Sequence, residues 1–541
     1  MSDAAVRAMR ARLLAWESTP FYATIPELVA HAAARRPELP ACVFIEDDET
    51  VTRAALDAES SRLANALAAI GVDRGTVVGV MLPNRREYPI TWVALAKIGA
   101  VMVPINPRYT ERELGYALGD SGASFLVIDE EHVPLFQSLT NRPAALTDEH
   151  VVIRGRPVLP GSRAWTALSQ GGAPSFSPAR PVGGDDIINV QYTSGTTGFP
   201  KGCLLPQDYW LVMARATIAW MEHPATRMFA QNPFHYMNCQ FMLLMALARD
   251  ATLFIARRPS ATRFLPWIKQ HGIEWCVFPE IVLRQPELPD DATTQLKEVL
   301  LAAVSPTGQR EIERRFKVRA RELFGMTEIG PGLAMPFDCT DMTGAGSVGI
   351  EMLHRRATIR DENGNPVPDG ERGELWMAGR GMMHGYFNKP QANANSFRGE
   401  WFRTGDLARR DERGFHYIVG RTKDMIRRSG ENIAAREVEV VAMMLPEVID
   451  AAVVPVPDPD RGEEVKLYMV LREGLAPKDL PIERIQAHCR AKLASFKVPR
   501  YYAFAEDFPR TASNKIEKGQ LKARTPDLRA GAFDAVEGIW R

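Results

Sequence analysis

Residues 192–202 read Tyr-Thr-Ser-Gly-Thr-Thr-Gly-Phe-Pro-Lys-Gly. Thr193, Ser194, Gly195, Thr196, Thr197, Gly198 and Lys201 crowd into one loop behind the strand-like run 187–191. Glycines let the backbone turn tightly and turn its N–H groups toward a ligand. The hydroxyls add donors, and Lys201 adds a point charge. Such a loop suits phosphate. The order G-T-T-G-F-P-K-G does not match G-x-x-x-x-G-K-[ST], so this is not a Walker A loop. A Gly/Thr-rich surface turn has the same composition, and the loop alone does not decide between the two.

Further chemistry-bearing groups follow at intervals. They are Phe324-Gly325-Met326-Thr327-Glu328, Thr404-Gly405-Asp406, Gly420-Arg421-Thr422-Lys423-Asp424, Ser429-Gly430-Glu431-Asn432-Ile433, and Pro509-Arg510-Thr511 with Asn514-Lys515-Ile516. Singly, each has an ordinary structural reading. Thr-Glu pairs cap helices, Gly-Asp is turn chemistry, and a lysine between Asn and Ile is usually solvated.

The elements that must position these groups are legible in part. Leu63, Leu67 and Ile70 keep helical spacing, with Gly71 able to close the helix. Residues 77–82 read as a buried strand, a helix runs through Trp92 and Ala96 to Gly99, and residues 101–105 form the next strand. Thr110 and Glu113 make a T-x-x-E capping box, and residues 125–128 are another apolar strand. This alternation predicts a parallel doubly wound sheet. From about residue 347 to 419 short strands with hairpin signals take over, notably Asn363-Gly364. Helical 436–444 and 482–493, with strand-like 451–455 and 465–471, then predict a compact α+β domain. The expected fold class is therefore α/β. A large N-terminal domain of doubly wound sheets spans 1–420, including a small β subdomain at 347–419. A hinge at 421–423 joins it to a small α+β C-terminal domain, 424–541.

Composition narrows the classes. Across 541 residues, 66 Lys+Arg balance 66 Asp+Glu, which gives no field to draw nucleic acid. At 45% hydrophobic and 24% charged the chain is too apolar for disorder. Cys42, Cys203, Cys239, Cys276, Cys339 and Cys489 form no C-x-x-C pair, which argues against a disulfide scaffold or zinc ribbon. Apolar runs such as 241–248 are too short to span a bilayer. The first 17 residues carry Asp3 and Glu17 without a continuous apolar stretch, which predicts a surface helix rather than a signal peptide, and hence a reduced, cytoplasmic setting.

In their order, the glycine-rich loop and the groups after it resemble the motifs of the class I adenylate-forming enzymes: acyl- and aryl-CoA synthetases, adenylation domains of peptide synthetases, and firefly-type luciferases. The resemblance spans nearly the whole chain. It implies an ATP-dependent, AMP-forming carboxylate–CoA ligase using ATP, Mg²⁺ and coenzyme A. It implies that residues 193–198 and Lys201 hold phosphate, and that Thr327 contacts the α-phosphate. Glu328 would hold Mg²⁺. Phe324, beside Gly325, would stack on adenine, and Asp406 would take the ribose hydroxyls with Arg421 assisting. Lys515 would bridge carboxylate and phosphate, Lys423 would be the hinge, and Gly430 would border the pantetheine path. Arg427 and Arg428 would either meet CoA phosphates or form a solvated basic face. Two positions depart from the family pattern: Phe324 replaces a Tyr, and Asn514 replaces a Gly. Homodimers are common in the family, but the sequence carries no interface signal.

Pro233-Phe234-His235 resembles the family's P-x-[FY]-H segment, whose His gates the acyl pocket. Asn238 and Gln240 after it are more polar than a fatty-acid tunnel needs. With residues 96–106, this segment resembles the carnitine/crotonobetaine–CoA ligase branch. A small or medium polar, aromatic or dicarboxylic acid is expected. Arg284 reads as a surface residue. The alternative is a stand-alone adenylation enzyme that loads a carrier protein.

Overall fold

The computed structural model describes residues 2–193, 200–302, 304–421, 425–428, 431–493, 495–510 and 515–541. They divide into two compact units. The first comprises Met1–Thr193, Lys201–Arg356 and Met377–Glu400, and the second includes Ala357–Trp376 and Trp401–Arg541.

The first unit holds two sheets of seven and nine strands. In the seven-stranded sheet Val77–Met81 pairs in parallel with both Val101–Pro104 and Phe125–Asp129, as the alternation of strand and helix predicts. Val78, Val80, Val103, Leu126 and Ile128 of these strands are buried, which suits central parallel strands. Local signals set the helix ends. Thr110 and Glu113 form the predicted capping box of Glu111–Ser121. Gly99 closes Glu87–Ile98 at φ 81°, and Gly71 follows Arg53–Ala69 at φ 100°. The N-terminal helix, Ser2–Glu17, buries Val6, Met9 and Leu13, the one-sided spacing of an amphipathic helix.

One edge departs from the parallel expectation. Ile187–Tyr192 pairs antiparallel with Gly202–Pro206. Residues 193–201 thus connect two strands that pair antiparallel. The second sheet carries a comparable tip, where Arg319–Met326 turns back antiparallel on Gly330–Ala334.

In the second unit Trp401–Arg410 pairs antiparallel with His416–Arg421. The Asn363-Gly364 turn forms, with Gly364 at φ 85° and its N–H on the Asp361 carbonyl at 3.1 Å. Beyond residue 424 lies a seven-stranded sheet with helices Ala435–Met443 and Ile482–Lys492 over one core. Its long ladder joins Val448–Asp458 to Gly462–Leu471.

Candidate adenylate-forming site

The base of the glycine-rich loop is closed by backbone. Thr193 N–H donates to the Lys201 carbonyl at 3.0 Å. Both flanking residues are tied to the segment around 384–389. Tyr192 donates its hydroxyl to Asp120 at 2.9 Å, and the Lys389 ammonium meets the same carboxylate at 2.5 Å. On the other side Lys201 lies over the Tyr386 ring, 3.9 Å from its centroid. His384 and Phe387 donate their N–H groups to the carbonyls of Leu204 and Gly202. Residues 194–198 themselves, Ser194, Gly195, Thr196, Thr197 and Gly198, lie outside the described residues, as do Lys423 and Gly430.

Thr327 and Glu328 sit at the second hairpin tip. Gly325 makes that tip possible, because a Cβ there would stand 2.7 Å from the Gly330 carbonyl oxygen. The register slips between Phe324 and Gly325 at this point. Phe324 and Thr327 are half-buried, while Glu328 is 7% exposed. One Glu328 oxygen accepts the Tyr386 hydroxyl at 2.9 Å. Burial and the Glu328 charge push the Tyr386 phenol's pKa up, so it stays a donor. The other Glu328 oxygen has no hydrogen-bond partner among the described residues. A single available carboxylate oxygen fits Mg²⁺, which takes one or two carboxylates plus substrate phosphates. Among the described residues no group of three or more His, Cys, Asp or Glu forms a metal cage.

His235 is brought to the same strand, since the Gln191 amide donates to its carbonyl at 2.8 Å. Burial, helped by the charge of Arg108, lowers the imidazole to about 3. It is therefore neutral near pH 7. Tyr236 lies against it, with ring centroids 4.5 Å apart. Arg108 is exposed, and its guanidinium has no hydrogen-bond or ion-pair partner among the described residues. Sequence reasoning missed both Arg108 and Tyr386. Neither belongs to a spaced motif, and each is found only through a contact across the fold.

Gln240 does not support the polar-pocket argument. It is fully buried, and its amide donates to the Phe234 carbonyl at 2.7 Å. Its oxygen accepts from Asn189, which in turn accepts from the Trp92 indole. Its polarity is spent inside the core. Arg284 is exposed at the end of a short 3₁₀ turn, as expected of a surface residue.

In the second unit Asp406 is 4% exposed and accepts from Arg421 Nε at 2.9 Å, opposite it in the antiparallel ladder. Gly405, at φ 71°, shapes the backbone just before Asp406. Lys515 is exposed in the same unit. Arg428 fits neither sequence reading. Its guanidinium is buried, ion-paired to Glu464 at 2.8 Å and bonded to the Phe496 carbonyl at 2.7 Å. Buried, ion-paired and bonded through both terminal nitrogens, it is a structural residue, neither a CoA contact nor part of a solvated face. The Arg427 side chain lies outside the described residues.

The AMP-binding enzyme model matches residues 29–387, and the AMP-binding enzyme C-terminal domain model matches 437–515. The chain is 32% identical over 514 residues to a sulfoacetate–CoA ligase of Cupriavidus necator, covering 92% of this chain and 97% of the relative. It is 32% identical over 484 residues to a crotonobetaine/carnitine–CoA ligase of Escherichia coli, covering 86% and 92%. An o-succinylbenzoate–CoA synthetase from Bacillus subtilis, solved with ATP and a magnesium ion, superposes with TM-score 0.78 at 25% identity, covering 92% of this chain and 99% of that one. Motif order, hairpin tips and these likenesses agree: the chain belongs to the AMP-binding enzyme family, within the adenylate-forming acyl-CoA synthetase superfamily.

Proposed function

We infer that this protein is an ATP-dependent, AMP-forming carboxylate–CoA ligase, and that its acid is small to medium and polar, aromatic or dicarboxylic. The observation that carries this reading is the pairing of two hairpin tips, one bearing Lys201 and one bearing Glu328, joined through Tyr386. In the first half-reaction the carboxylate oxygen attacks the α-phosphorus of ATP, the bond to the β-phosphate oxygen breaks, and pyrophosphate leaves. In the second, the CoA thiol, losing its proton, attacks the acyl carbonyl and AMP leaves.

Bringing two anions together is the main barrier, and cations and N–H donors lower it. Lys201 and the loop of residues 193–198 neutralise the β- and γ-phosphates. Thr327 donates to the α-phosphate, and Lys515 bridges it to the carboxylate. Phe324 supplies an aromatic face for adenine beside Gly325. Asp406, its position fixed by Arg421, accepts the ribose hydroxyls. Glu328 would hold Mg²⁺, which when bound would supply positive charge for the pyrophosphate leaving group. Residues 421–423, with Lys423, act as a hinge between domains 1–420 and 424–541, so that Lys515 serves the first half-reaction and Gly430 borders the pantetheine path in the second.

His235 and Tyr236 form the mouth of the acid site, and Arg108 supplies a cation there. That cation favours an acid with a second anionic group, in line with the sulfoacetate named for one relative. A reduced, cytoplasmic setting is supported by six free, buried cysteines. A homodimer accords with the family. The test is pyrophosphate release with ATP, Mg²⁺ and a panel of acids, with and without CoA. Multiple turnovers only with CoA support the ligase. About one equivalent of pyrophosphate, with CoA giving no turnover, points to an adenylate held for a carrier protein.

A further inference from the structure

We propose that Tyr386 is the positioning residue that sets both charges of the pyrophosphate end of the site; this rests on the assignment of Glu328 to the metal and Lys201 to phosphate. The Tyr386 side chain has two functional surfaces and both are used. Its hydroxyl donates to one Glu328 oxygen at 2.9 Å, which fixes that carboxylate's rotation and leaves the second oxygen for a cation. Its ring face carries the Lys201 ammonium at 3.9 Å, inside the range of a cation–π contact. One aromatic side chain thus contacts both a carboxylate and an ammonium.

The ring itself is held. Tyr386 is 4% exposed. Its N–H donates to the Asn393 side-chain oxygen at 2.7 Å, and the Asn393 amide returns a bond to its carbonyl at 3.0 Å. The residue also bridges to Cys203 across the hairpin strand that follows the glycine-rich loop. Its backbone therefore moves with that hairpin, while its hydroxyl reports to the other one. Groups that orient a metal's carboxylate ligand typically contribute tenfold or more to metal affinity.

The test uses Tyr386→Phe, which keeps the ring and removes the hydroxyl, and Tyr386→Leu, which removes both surfaces. Glu328→Gln serves as the reference. Two readouts need no turnover: Mn²⁺ binding in the presence of a non-hydrolysable ATP analogue, followed by electron paramagnetic resonance, and metal-free binding of inorganic pyrophosphate by calorimetry. Tyr386→Phe is expected to weaken Mn²⁺ binding about tenfold while leaving pyrophosphate binding and the KM for the acid unchanged. Tyr386→Leu is expected to weaken pyrophosphate binding a further two- to fivefold, roughly the value of a cation–π contact. Unchanged Mn²⁺ binding in Tyr386→Phe, with Glu328→Gln defective, overturns the role of the hydroxyl. Unchanged Mn²⁺ binding in Glu328→Gln refutes the metal assignment itself. Equal pyrophosphate affinity in the Phe and Leu variants overturns the role of the ring. Circular dichroism of each variant separates these effects from misfolding.

Discussion

Gly325→Ala isolates the geometry of the Thr327–Glu328 tip from its chemistry, because it removes no functional group. The added Cβ would stand 2.7 Å from the Gly330 carbonyl oxygen, whereas ordinary van der Waals contact begins at 3.4 Å. The hairpin must open by the difference, 0.7 Å, and the obstruction is backbone rather than a flexible side chain. Glu328 lies three residues away, with its 2.9 Å bond to Tyr386 already near the working distance. Moving the tip by that amount stretches the bond beyond useful length. Misplacement by about 1 Å costs on the order of a hundredfold in rate, so a ten- to hundredfold loss in kcat/KM is expected, about 1.4–2.7 kcal/mol. The assay is ATP–pyrophosphate exchange with saturating acid. Gly119→Ala is the control: it sits in Glu111–Ser121, its Cβ meets nothing within 4 Å, and the change is expected to be neutral or slightly stabilising. Exchange in Gly325→Ala within twofold of that control would refute the argument that this glycine holds the tip.

Asp406→Asn removes the charge that Arg421 faces at 2.9 Å, and the KM for ATP is expected to rise ten- to a hundredfold with smaller change in the KM for the acid, read from initial rates. Arg428→Ala leaves the nearly inaccessible Glu464 carboxylate poorly compensated, with Arg461 at 3.5 Å the remaining ion pair among the described residues, so a loss of about 3 kcal/mol from the second unit is expected by denaturant unfolding, without a specific rise in the KM for CoA. Folding lowers the His235 pKa from 6.5 to about 3, so the unfolded chain binds that proton more tightly. The stabilisation from a neutral His235 is complete above pH 6.5 and falls away toward pH 3, by about 1.4 kcal/mol per unit. His235→Asn should flatten that acid-side decline in urea titrations and leave the kcat/KM profile above pH 6.5 unchanged in shape. Arg108→Ala should lower kcat/KM for acids with a second anionic group by tenfold or more relative to monoacids of the same size, measured by CoA-dependent AMP formation.

What the sequence made legible was local. The Thr110–Glu113 box, the Gly99 helix stop and the alternation of apolar strands with helices all act within a few residues, and they stand where the spacing places them. The strand-like run 187–191 was legible, but the antiparallel partner that follows residues 193–201 was not. Gly202–Pro206 is a short apolar run whose antiparallel partner is set by pairing, not by pattern. Gln240 was read as pocket polarity because its partner Asn189 lies 51 residues away. Arg428 was read as a CoA-phosphate contact or a solvated basic residue because Glu464 lies 36 residues away. Tyr386 left no mark for the same reason, since 58 residues separate it from Glu328. A buried polar group is defined by its partner, and a partner distant in sequence has no spacing to read.

The central claim is the reaction itself, and product stoichiometry tests it most directly. The purified protein would be incubated with ATP, Mg²⁺, CoA and a panel of short aliphatic, betaine-like, aromatic, dicarboxylic, sulfonated and long-chain acids, and nucleotides and thioesters would be quantified together by chromatography and mass spectrometry. The account predicts AMP, pyrophosphate and one acyl-CoA in equal amounts, with a small polar acid preferred and the long-chain acid poorest. Formation of ADP and phosphate, or AMP release that proceeds at the same rate without CoA, would contradict it.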